Sequence, residues 1–317
     1  MPIRADAERA RGLAVLGERP GHGALALELS PTDRMAVAFL AALAVPAALA
    51  RPVLGAALVE IGLLATAIVV VAWLATRTRL GRLAHDFSPI ALVAAIFNAN
   101  APIIPAVNPL LGDPLLAALD DRLFPGVAAA WRGALGRPDW LTDAAALAYV
   151  SFYFLPILLA VPLYLRDRRA FRAFAFDVQA TFLVSYIGYF LLPAAGPRVP
   201  RDLELAVLGG GGATRLVFTF LHAVEENVLD AFTSGHTAAS LVVVALAWRL
   251  FPRWRAPLVF AAGGIVFATV YLSLHYVIDI VAGALLACTM PVLLPALRAV
   301  FHAPALESNG HRPRSGW

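Results

Sequence analysis

A histidine and an aspartate stand four residues apart in an apolar stretch near the end of the chain. His275 and Asp279 lie within LSLHYVIDIVAG, residues 272–283. Residues i and i+4 share a helix face, so the carboxylate can accept the Nδ1 proton of the imidazole and leave Nε2 as a nucleophile or base. Taken alone, the pair is also readable as a polar cap on a helix end. Gly283, one turn further on, would let a neighbouring helix approach closely.

A second histidine follows a serine and a glycine in TSGHTAAS, residues 233–240, directly before a long apolar run. Thr233 or Ser234 can cap a helix there, and Gly235 permits close approach of the backbone. The free N–H groups at a helix start bind anions, so His236 would face an anion held at that point. An ordinary capped helix start is the alternative interpretation.

An arginine closes the Pro-rich stretch GYFLLPAAGPR, residues 188–198. The planar guanidinium of Arg198 can bind a phosphate or carboxylate through two hydrogen bonds, although a single arginine at the end of a span also snorkels to the interface. Each of the three signals is modest. Their combination on one membrane face, in consecutive loop regions, predicts a site for an anionic substrate.

The composition requires a membrane around these residues. Of 317 residues, 60% are hydrophobic and 15% are charged, and the mean hydropathy is +0.76. Such a chain lacks the charge that a soluble surface needs, so we predict an all-α, polytopic helical membrane bundle. Windows of about 19 residues indicate eight spans: 35–50, 53–76, 88–106, 141–165, 173–193, 234–251, 256–273 and 275–299.

Two segments interrupt this regular pattern. The third span carries several prolines and asparagines, which favours a short or broken helix leading into an interfacial stretch. Residues 113–140 contain two amphipathic stretches and are predicted to lie outside the membrane, flat on its surface. A cytoplasmic tail is expected over residues 1–34, and another over 301–317.

The basic residues set the orientation and exclude some functions. All 25 are arginines, scattered in short clusters between apolar runs, so the net charge of +4 does not indicate nucleic acid binding. Most of them fall on the side of the two termini, which predicts that both termini are cytoplasmic and that the site faces outward. The single cysteine, Cys288, excludes an intramolecular disulfide and a cysteine-based metal site.

The order of the three motifs resembles the membrane branch of the type-2 phosphatidic acid phosphatase superfamily. Its pattern is Lys-x6-Arg-Pro, then Pro-Ser-Gly-His, then Ser-Arg-x5-His-x3-Asp, at the outer ends of consecutive core helices. Arg198 matches the first motif, residues 234–236 the second, and His275 with Asp279 the third. By this resemblance, residues 88–300 form the catalytic membrane domain and residues 35–87 add two N-terminal helices.

The departures from that pattern point to one branch of the superfamily. Leu191 and Val199 stand where the first motif has lysine and proline, Thr233 replaces the proline of the second, and Ala268-Thr269 replaces the Ser-Arg pair. The run 269–283 is similar to the inositolphosphotransferase branch, which includes the fungal inositol phosphorylceramide synthases. We therefore expect an integral protein of a bacterial inner membrane that acts on a lipid phosphate.

The resemblance also implies a mechanism without a metal or another cofactor. His275 would attack phosphorus and form a phosphohistidine, Asp279 would orient it, and His236 would donate and later accept a proton. Phosphate binding would fall to Arg198, Gly235 and Ser234. The second-step acceptor is either water, which makes a lipid phosphatase, or an alcohol or polyol, which makes a head-group transferase. The oligomeric state stays open.

Three other functions fit parts of the sequence. A metal-dependent hydrolase would use His236, His275 and Asp279 as ligands, and an intramembrane serine protease would use Ser234 with a histidine. A transporter, which is not an enzyme, would line a path with intramembrane polar residues. The candidates for such a path are Glu60, Asp177 and Gln179.

Overall fold

The computed structural model describes residues 28–49, 51–198 and 201–306, and within these ranges the chain forms helices and short connections without a β-strand. We number the helices in chain order: α1 Pro31–Leu49, α2 Arg51–Arg77, α3 Arg79–Ala99, α4 Ile104–Val107, α5 Asp113–Leu123, α6 Val127–Leu135, α7 Asp139–Arg166, α8 Arg168–Leu191, α9 Arg201–Leu208, α10 Gly212–Val224, α11 Gly235–Leu250, α12 Arg255–Tyr271 and α13 Val277–Phe301. The predicted all-α architecture is confirmed.

Seven helices of the described chain are long and apolar enough to cross a membrane: α1, α2, α3, α7, α8, α12 with the turn before it, and α13. The sixth predicted span, 234–251, is α11, which has 16 residues and is shorter than the other predicted spans that form one continuous helix. The third predicted span is broken, as its prolines and asparagines suggested. Its helix ends at Ala99, a turn follows, and the short α4 comes next.

The first residue of several helices is set by a capping hydrogen bond, which a hydropathy window cannot detect. Helix α3 begins at Arg79 rather than at 88, because the Thr78 hydroxyl caps it by accepting from the Gly81 N–H at 2.8 Å. Helix α8 begins after Asp167, whose carboxylate accepts from two N–H groups of the first turn. Helix α1 begins inside the predicted N-terminal tail. Residues 1–27 and 307–317 of the predicted tails lie outside the described residues.

The outer surface of the bundle is apolar. Large hydrophobic side chains are more than half exposed on several helices, including Val59, Leu158, Phe260 and Val292. In water, such an extended apolar surface would drive association, whereas in a bilayer it is solvated by hydrocarbon. The surface therefore agrees with the membrane location that the composition predicts.

Helix α8 lies at the centre of the bundle and belongs to two hydrophobic cores. On one side it packs with α1, α2, α3 and α13, through buried residues that include Leu40, Ile96, Phe176 and Met290. On the other side it packs with α7, α11 and α12. The two N-terminal helices are thus packed against the body of the protein and share its core.

Two polar residues considered for a transport path instead connect helices. Asp177 is fully buried in α8, where Arg298 of α13 donates to both of its carboxylate oxygens. Gln179 donates to the carbonyl of Thr32 at 2.9 Å. Buried polar groups are stable when they are paired in this way. Asp177 is therefore accounted for by helix packing, whereas Gln179 is paired only through its amide N–H, since its Oε1 atom is buried without a hydrogen-bond partner.

Candidate active site

The two histidines of the sequence motifs meet in the interior of the bundle. His275 lies in the link between α12 and α13, and His236 is the second residue of α11. The Nε2 atom of His275 is 3.4 Å from the Nδ1 atom of His236. The residues are 1% and 7% exposed, respectively. A buried pair of facing imidazoles can pass a proton between reacting groups at this position.

On the side of the His275 ring that faces away from His236, two oxygen atoms fix the orientation of the imidazole. Its Nδ1 atom lies 3.1 Å from the carbonyl oxygen of Ala231 and 3.6 Å from Oδ2 of Asp279. Both partners are acceptors, so the neutral ring carries its proton on Nδ1. The lone pair of Nε2 then points towards His236.

Asp279 joins the starts of two helices as well as facing His275. Its Oδ2 atom accepts from the N–H of Tyr276 at 2.9 Å and so caps α13. Its backbone carbonyl accepts from the N–H of Ser234, which immediately precedes α11, at 3.3 Å. Gly283 makes this approach feasible, because a Cβ atom there would lie 2.5 Å from the carbonyl oxygen of Ser234. The close helix approach expected at Gly283 is confirmed.

Ser234 and Gly235 form the start of α11. The fully buried hydroxyl of Ser234 accepts from the N–H of Thr237 at 3.3 Å and from the hydroxyl of Thr237 at 3.1 Å. Ser234, rather than Thr233, is therefore the cap. A Cβ atom on Gly235 would lie 2.9 Å from the hydroxyl oxygen of Tyr189. Only a glycine fits this position without displacing Tyr189.

Aromatic rings of α7 hold the imidazole of His236. The ring centroid of Tyr149 lies 4.6 Å from that of His236, and the centroid of Phe152 lies at 4.3 Å. The Nε2 atom of His236 is buried and has no hydrogen-bond partner in the protein. A buried unpaired nitrogen costs free energy. Such an atom is well suited to pair with a substrate group.

Arg198 reaches the site through an acidic partner that the sequence analysis did not identify. Its Nη2 atom lies 2.8 Å from Oδ1 of Asp230, and the two side chains are 15% and 1% exposed. The neighbour of Asp230 is Ala231, whose carbonyl faces His275 and whose N–H donates to Ala194 at 2.9 Å. The structure thus brings the two histidines, Asp279, Ser234 and Gly235 together directly, and connects Arg198 to them through residues 230–231.

Helix α5 holds the loop that carries Arg198 through hydrogen bonds to the loop backbone. The carboxylate of Asp113 accepts from the N–H groups of Ala195 and Gly196 at 3.0 and 2.9 Å. Gly196 has a φ of +79°, and a Cβ there would lie 2.3 Å from the carbonyl oxygen of Leu274. The loop can therefore lie against the segment before His275 only because residue 196 is glycine.

The same helix also contacts the start of α13. The carboxylate of Asp120 accepts from the N–H of Ile278 at 2.8 Å, and burial raises the pKa of this carboxyl while the backbone N–H groups oppose that change. The hydroxyl of Tyr276 lies 3.4 Å from Asp113. Burial and the neighbouring Asp113 carboxylate raise the pKa of Tyr276 to about 12. The segment predicted to lie outside the membrane therefore supports two of the three motifs.

An apolar groove, with a cavity volume of about 150 Å³, leads from the site along the bundle. It runs between α3, α7 and α8, and His236 and Gly235 line one part of it. Aromatic and aliphatic side chains form most of its wall, among them Val93, Phe97, Phe174 and Phe182. A groove of this shape and chemistry accommodates hydrocarbon chains.

The arrangement of donors does not favour a metal centre. Among the described residues, no group of three or more His, Cys, Asp or Glu side chains is placed to hold a metal ion. His275 turns Nε2 to His236 and Nδ1 to Asp279, on opposite edges of its ring. The three side chains therefore do not converge on one point, as ligands of one ion must.

Sequence reasoning missed the residues that hold the site from outside the motifs. These are Tyr149, Phe152, Asp113, Asp230 and the carbonyl of Ala231. The one signal available in the sequence is the position of Asp230, an acidic residue in the loop between two motifs. The aromatic residues of α7 lie in an apolar run, where nothing separates them from ordinary core residues.

The helical membrane bundle and the buried His-His-Asp cluster define a polytopic membrane protein with an internal polar site. A family model described as the PAP2 superfamily matches residues 114–293, more than half of the chain. The chain belongs to the PAP2 superfamily. The resemblance drawn from the three motifs is thereby confirmed.

Two curated relatives fall in the branch that the motif departures indicated. The inositol phosphorylceramide synthase of Candida albicans is 24% identical over 237 residues, which are 71% of this chain and 46% of the relative. The phosphoinositol dihydroceramide synthase of Bacteroides thetaiotaomicron is 27% identical over 156 residues, which are 44% of this chain and 50% of the relative. The matches thus span about half the length of these relatives. No solved structure matches the chain.

Proposed function

We propose that this protein is a membrane-embedded phosphoryl-transfer enzyme that moves a phosphoinositol-type head group from a phospholipid to a ceramide-type lipid alcohol. The observation that carries the proposal is the contact between Nε2 of His275 and Nδ1 of His236, in a buried site that an apolar groove joins to the membrane. The names of the two relatives support the head group and the acceptor.

In the first half-reaction, Nε2 of His275 attacks the phosphorus of the donor lipid and the bond between phosphorus and the lipid oxygen breaks. His236 gives a proton to the departing oxygen. The Nδ1–H group of His275 keeps its proton and donates towards Asp279 and the Ala231 carbonyl, which stabilise the positive charge that develops on the ring. The product of this step is a phosphohistidine that carries the head group.

In the second half-reaction, the hydroxyl of the acceptor attacks phosphorus, its proton passes to His236, and the P–N bond to His275 breaks. Arg198, the N–H group of Gly235 at the start of α11 and the hydroxyl of Ser234 neutralise the phosphoryl oxygens in both steps. The two imidazoles lie too close for a phosphoryl group to fit between them. Binding of the donor therefore has to separate the rings.

Burial of the site favours an alcohol over water as acceptor. The side chain of His275 is inaccessible to solvent, and the groove wall beside His236 is largely apolar. A lipid alcohol can enter from the bilayer, whereas water must cross apolar side chains. A head-group transferase is therefore better supported than a phosphatase.

The arrangement of charged residues supports a placement of the site on the outer face. The arginine clusters at residues 77–82, 166–172 and 249–255 lie at helix ends opposite to those that carry His236 and His275. The positive-inside rule then puts the clusters and both termini in the cytoplasm. Residues 88–300 serve as the catalytic membrane domain in this proposal.

The test is a phosphorus balance on the full chain in mixed micelles. Phosphatidylinositol, phosphatidic acid and an isoprenyl diphosphate are offered in turn, each with and without ceramide. We expect a new inositol-containing phospholipid with phosphatidylinositol and ceramide, and none with His275→Ala or His236→Ala. Inositol phosphate from phosphatidylinositol, or free phosphate from phosphatidic acid, in place of the new lipid would establish a phosphatase instead.

The matched control is His302→Asn, at an exposed histidine at the far end of α13. Residue 302 has a positive φ of 54°, which asparagine tolerates. This variant should retain the activity of the wild type. Retention of most activity by His275→Ala, with folded protein recovered in normal yield, would refute the proposed mechanism.

A further inference from the structure

Tyr189 places a phenol hydroxyl at the start of α11, beside a residue proposed to bind phosphate. The tyrosine lies two positions before the end of α8 and is 3% exposed. Its hydroxyl oxygen lies 2.9 Å from the position that a Cβ atom on Gly235 would take. Tyr189 also lines the apolar groove together with Gly235 and His236. The hydroxyl therefore lies next to the proposed anion site, at the point where the groove meets it.

Two aromatic neighbours fix the ring of Tyr189. The ring centroid lies 5.4 Å from that of Tyr186 and 6.2 Å from that of Phe97 in α3. A phenol O–H turns about its C–O bond without moving the ring, so the hydrogen can change partner while the oxygen stays in place. The side chain is thus a donor whose position is fixed and whose acceptor can change.

Ser185 is the hydrogen-bonding neighbour of Tyr189 in the structure. It lies one turn earlier in α8, and its hydroxyl oxygen is 3.2 Å from the same Cβ position on Gly235. The Ser185 hydroxyl donates its own proton to the carbonyl of Phe182 at 2.8 Å, so its oxygen is an acceptor for the proton of Tyr189. A charged phosphoryl oxygen is a stronger acceptor than a neutral hydroxyl. The O–H of Tyr189 therefore turns from Ser185 to a phosphate that binds beside Gly235.

A neutral donor is valuable in this site because its cationic groups are few. The chain contains no lysine, and the position of the lysine in the first motif holds Leu191, which is 70% exposed. Arg198 shares its charge with Asp230 in the ion pair of 2.8 Å. Preorganised hydrogen-bond donors stabilise the charge that develops in a transition state. The hydroxyl of Tyr189 adds such a donor on the α8 side of the site.

We propose that the hydroxyl of Tyr189 donates a hydrogen bond to a non-bridging oxygen of the transferring phosphoryl group. This inference rests on the proposed function and adds a catalytic residue to it. In the first step the bond from phosphorus to the lipid oxygen breaks and the P–N bond to His275 forms, and the second step reverses this with the acceptor oxygen. The proton moves to and from His236 in both steps, and Tyr189 keeps its own proton. The hydroxyl therefore stabilises charge and takes no part in acid–base chemistry.

The experiment compares Tyr189→Phe with the wild type in mixed micelles of phosphatidylinositol and ceramide. The variant keeps the ring and its packing and loses only the donor, so it should fold and should transfer the head group about 10²-fold more slowly. The assay is repeated with the two phosphorothioate diastereomers of phosphatidylinositol, in which sulfur replaces one or the other non-bridging oxygen. Because sulfur is a weak acceptor, the ratio of the two rates should change by about tenfold in Tyr189→Phe.

The matched control is Ser185→Ala, which removes the hydrogen bond between residues 185 and 189 and leaves the tyrosine hydroxyl in place. Its transfer rate and its diastereomer ratio should equal those of the wild type. Binding of orthovanadate, a phosphate-shaped anion, to the full chain provides a measurement that needs no lipid substrate. Tyr189→Phe should weaken this binding by about tenfold, and Ser185→Ala should leave it unchanged.

The results separate the inference from the proposed function. A wild-type rate in Tyr189→Phe, a slow rate with an unchanged diastereomer ratio, or an equally slow Ser185→Ala would each overturn the inference. Absence of transfer by the wild type would overturn the proposed function. In that case weaker vanadate binding by Tyr189→Phe alone would retain the tyrosine as an anion-binding residue, and equal binding by all three proteins would overturn the inference as well.

Discussion

Arg198 and Asp230 form an ion pair of 2.8 Å in which the acid is almost completely buried. The residue after Asp230 is Ala231, whose carbonyl oxygen accepts from Nδ1 of His275. Two consecutive residues therefore hold the proposed phosphate-binding arginine and the proposed nucleophile at a fixed separation. A displacement of this dipeptide moves both groups at once.

Asp230→Asn should lower the rate of head-group transfer by about 10- to 100-fold, because Arg198 would keep its charge but lose the partner that aims it. It should also destabilise the protein, by up to about 3 kcal/mol, since the largely buried ion pair between residues 198 and 230 is lost. Turnover and thermal unfolding in the same micelles measure both effects. In a double-mutant cycle with Arg198→Lys the losses should be strongly non-additive, and additive losses would contradict a shared role.

Gly283→Ala should destabilise the protein by about 1–3 kcal/mol and reduce transfer, because the new Cβ would lie 2.5 Å from the Ser234 carbonyl and push α11 from α13. Gly263→Ala in α12 is the matched control, since its Cβ would meet nothing within 4 Å. There the better helix propensity of alanine should leave stability unchanged or slightly raised. The comparison uses unfolding temperatures, and equal values for the two variants would show that the close approach is unimportant.

Asp113→Ala should reduce the rate constant for transfer by about tenfold or more, because the loop 195–196 loses two hydrogen bonds that place Arg198. Asp121→Ala, at an exposed position of the same helix, controls for the loss of a carboxylate from α5. The displaced Arg198 should also bind phosphate more weakly, so the affinity for a non-reactive phospholipid analogue is measured as well and should fall together with the rate of transfer. A normal rate in Asp113→Ala would show that α5 does not position the site.

Tyr276→Phe should alter the stability of the protein at high pH. The folded protein keeps the Tyr276 proton to about pH 12, whereas an unfolded chain releases it near pH 10. The unfolded state binds fewer protons between these values, so the free energy of unfolding falls as the pH rises through this window. Over that interval the wild type should lose stability more steeply than Tyr276→Phe, whereas the two curves should run parallel below pH 10. Thermal unfolding at a series of pH values tests this, and parallel curves throughout would contradict it.

Much of the site could be predicted from rules that relate residues close together in the sequence. The spacing of His275 and Asp279 predicts that they face each other, and their side chains lie 3.6 Å apart. A serine before a glycine and an apolar run predicts a cap, and Ser234 is that cap. Both relationships span four residues or fewer, so local hydrogen bonding decides them. His275 lies in the bend before α13, and the two side chains therefore meet at the start of the helix instead of along one helix face, as the spacing suggested.

The residues that hold the site in place could not be predicted by such rules, because their contacts join segments that are distant in the sequence. Asp113 holds a loop that lies more than 80 residues further along the chain, and Tyr149 packs on a histidine of another helix. No period or motif connects such positions. The bounds of α11, by contrast, lie within one residue of the predicted span 234–251 at each end, and the helix stops before Pro252.

The 16 residues of α11 span about 24 Å, which is less than the roughly 30 Å thickness of bilayer hydrocarbon. In the proposed topology, which puts the Arg249 end at the cytoplasmic interface, the end that bears His236 would stop several ångströms below the opposite boundary. The lipid phosphate must therefore sink to the reaction, or the leaflet must thin around the protein to bring it there. Bilayer thickness thus enters the energetics of catalysis, and the enzyme should work faster in short-chain lipids than in long-chain ones.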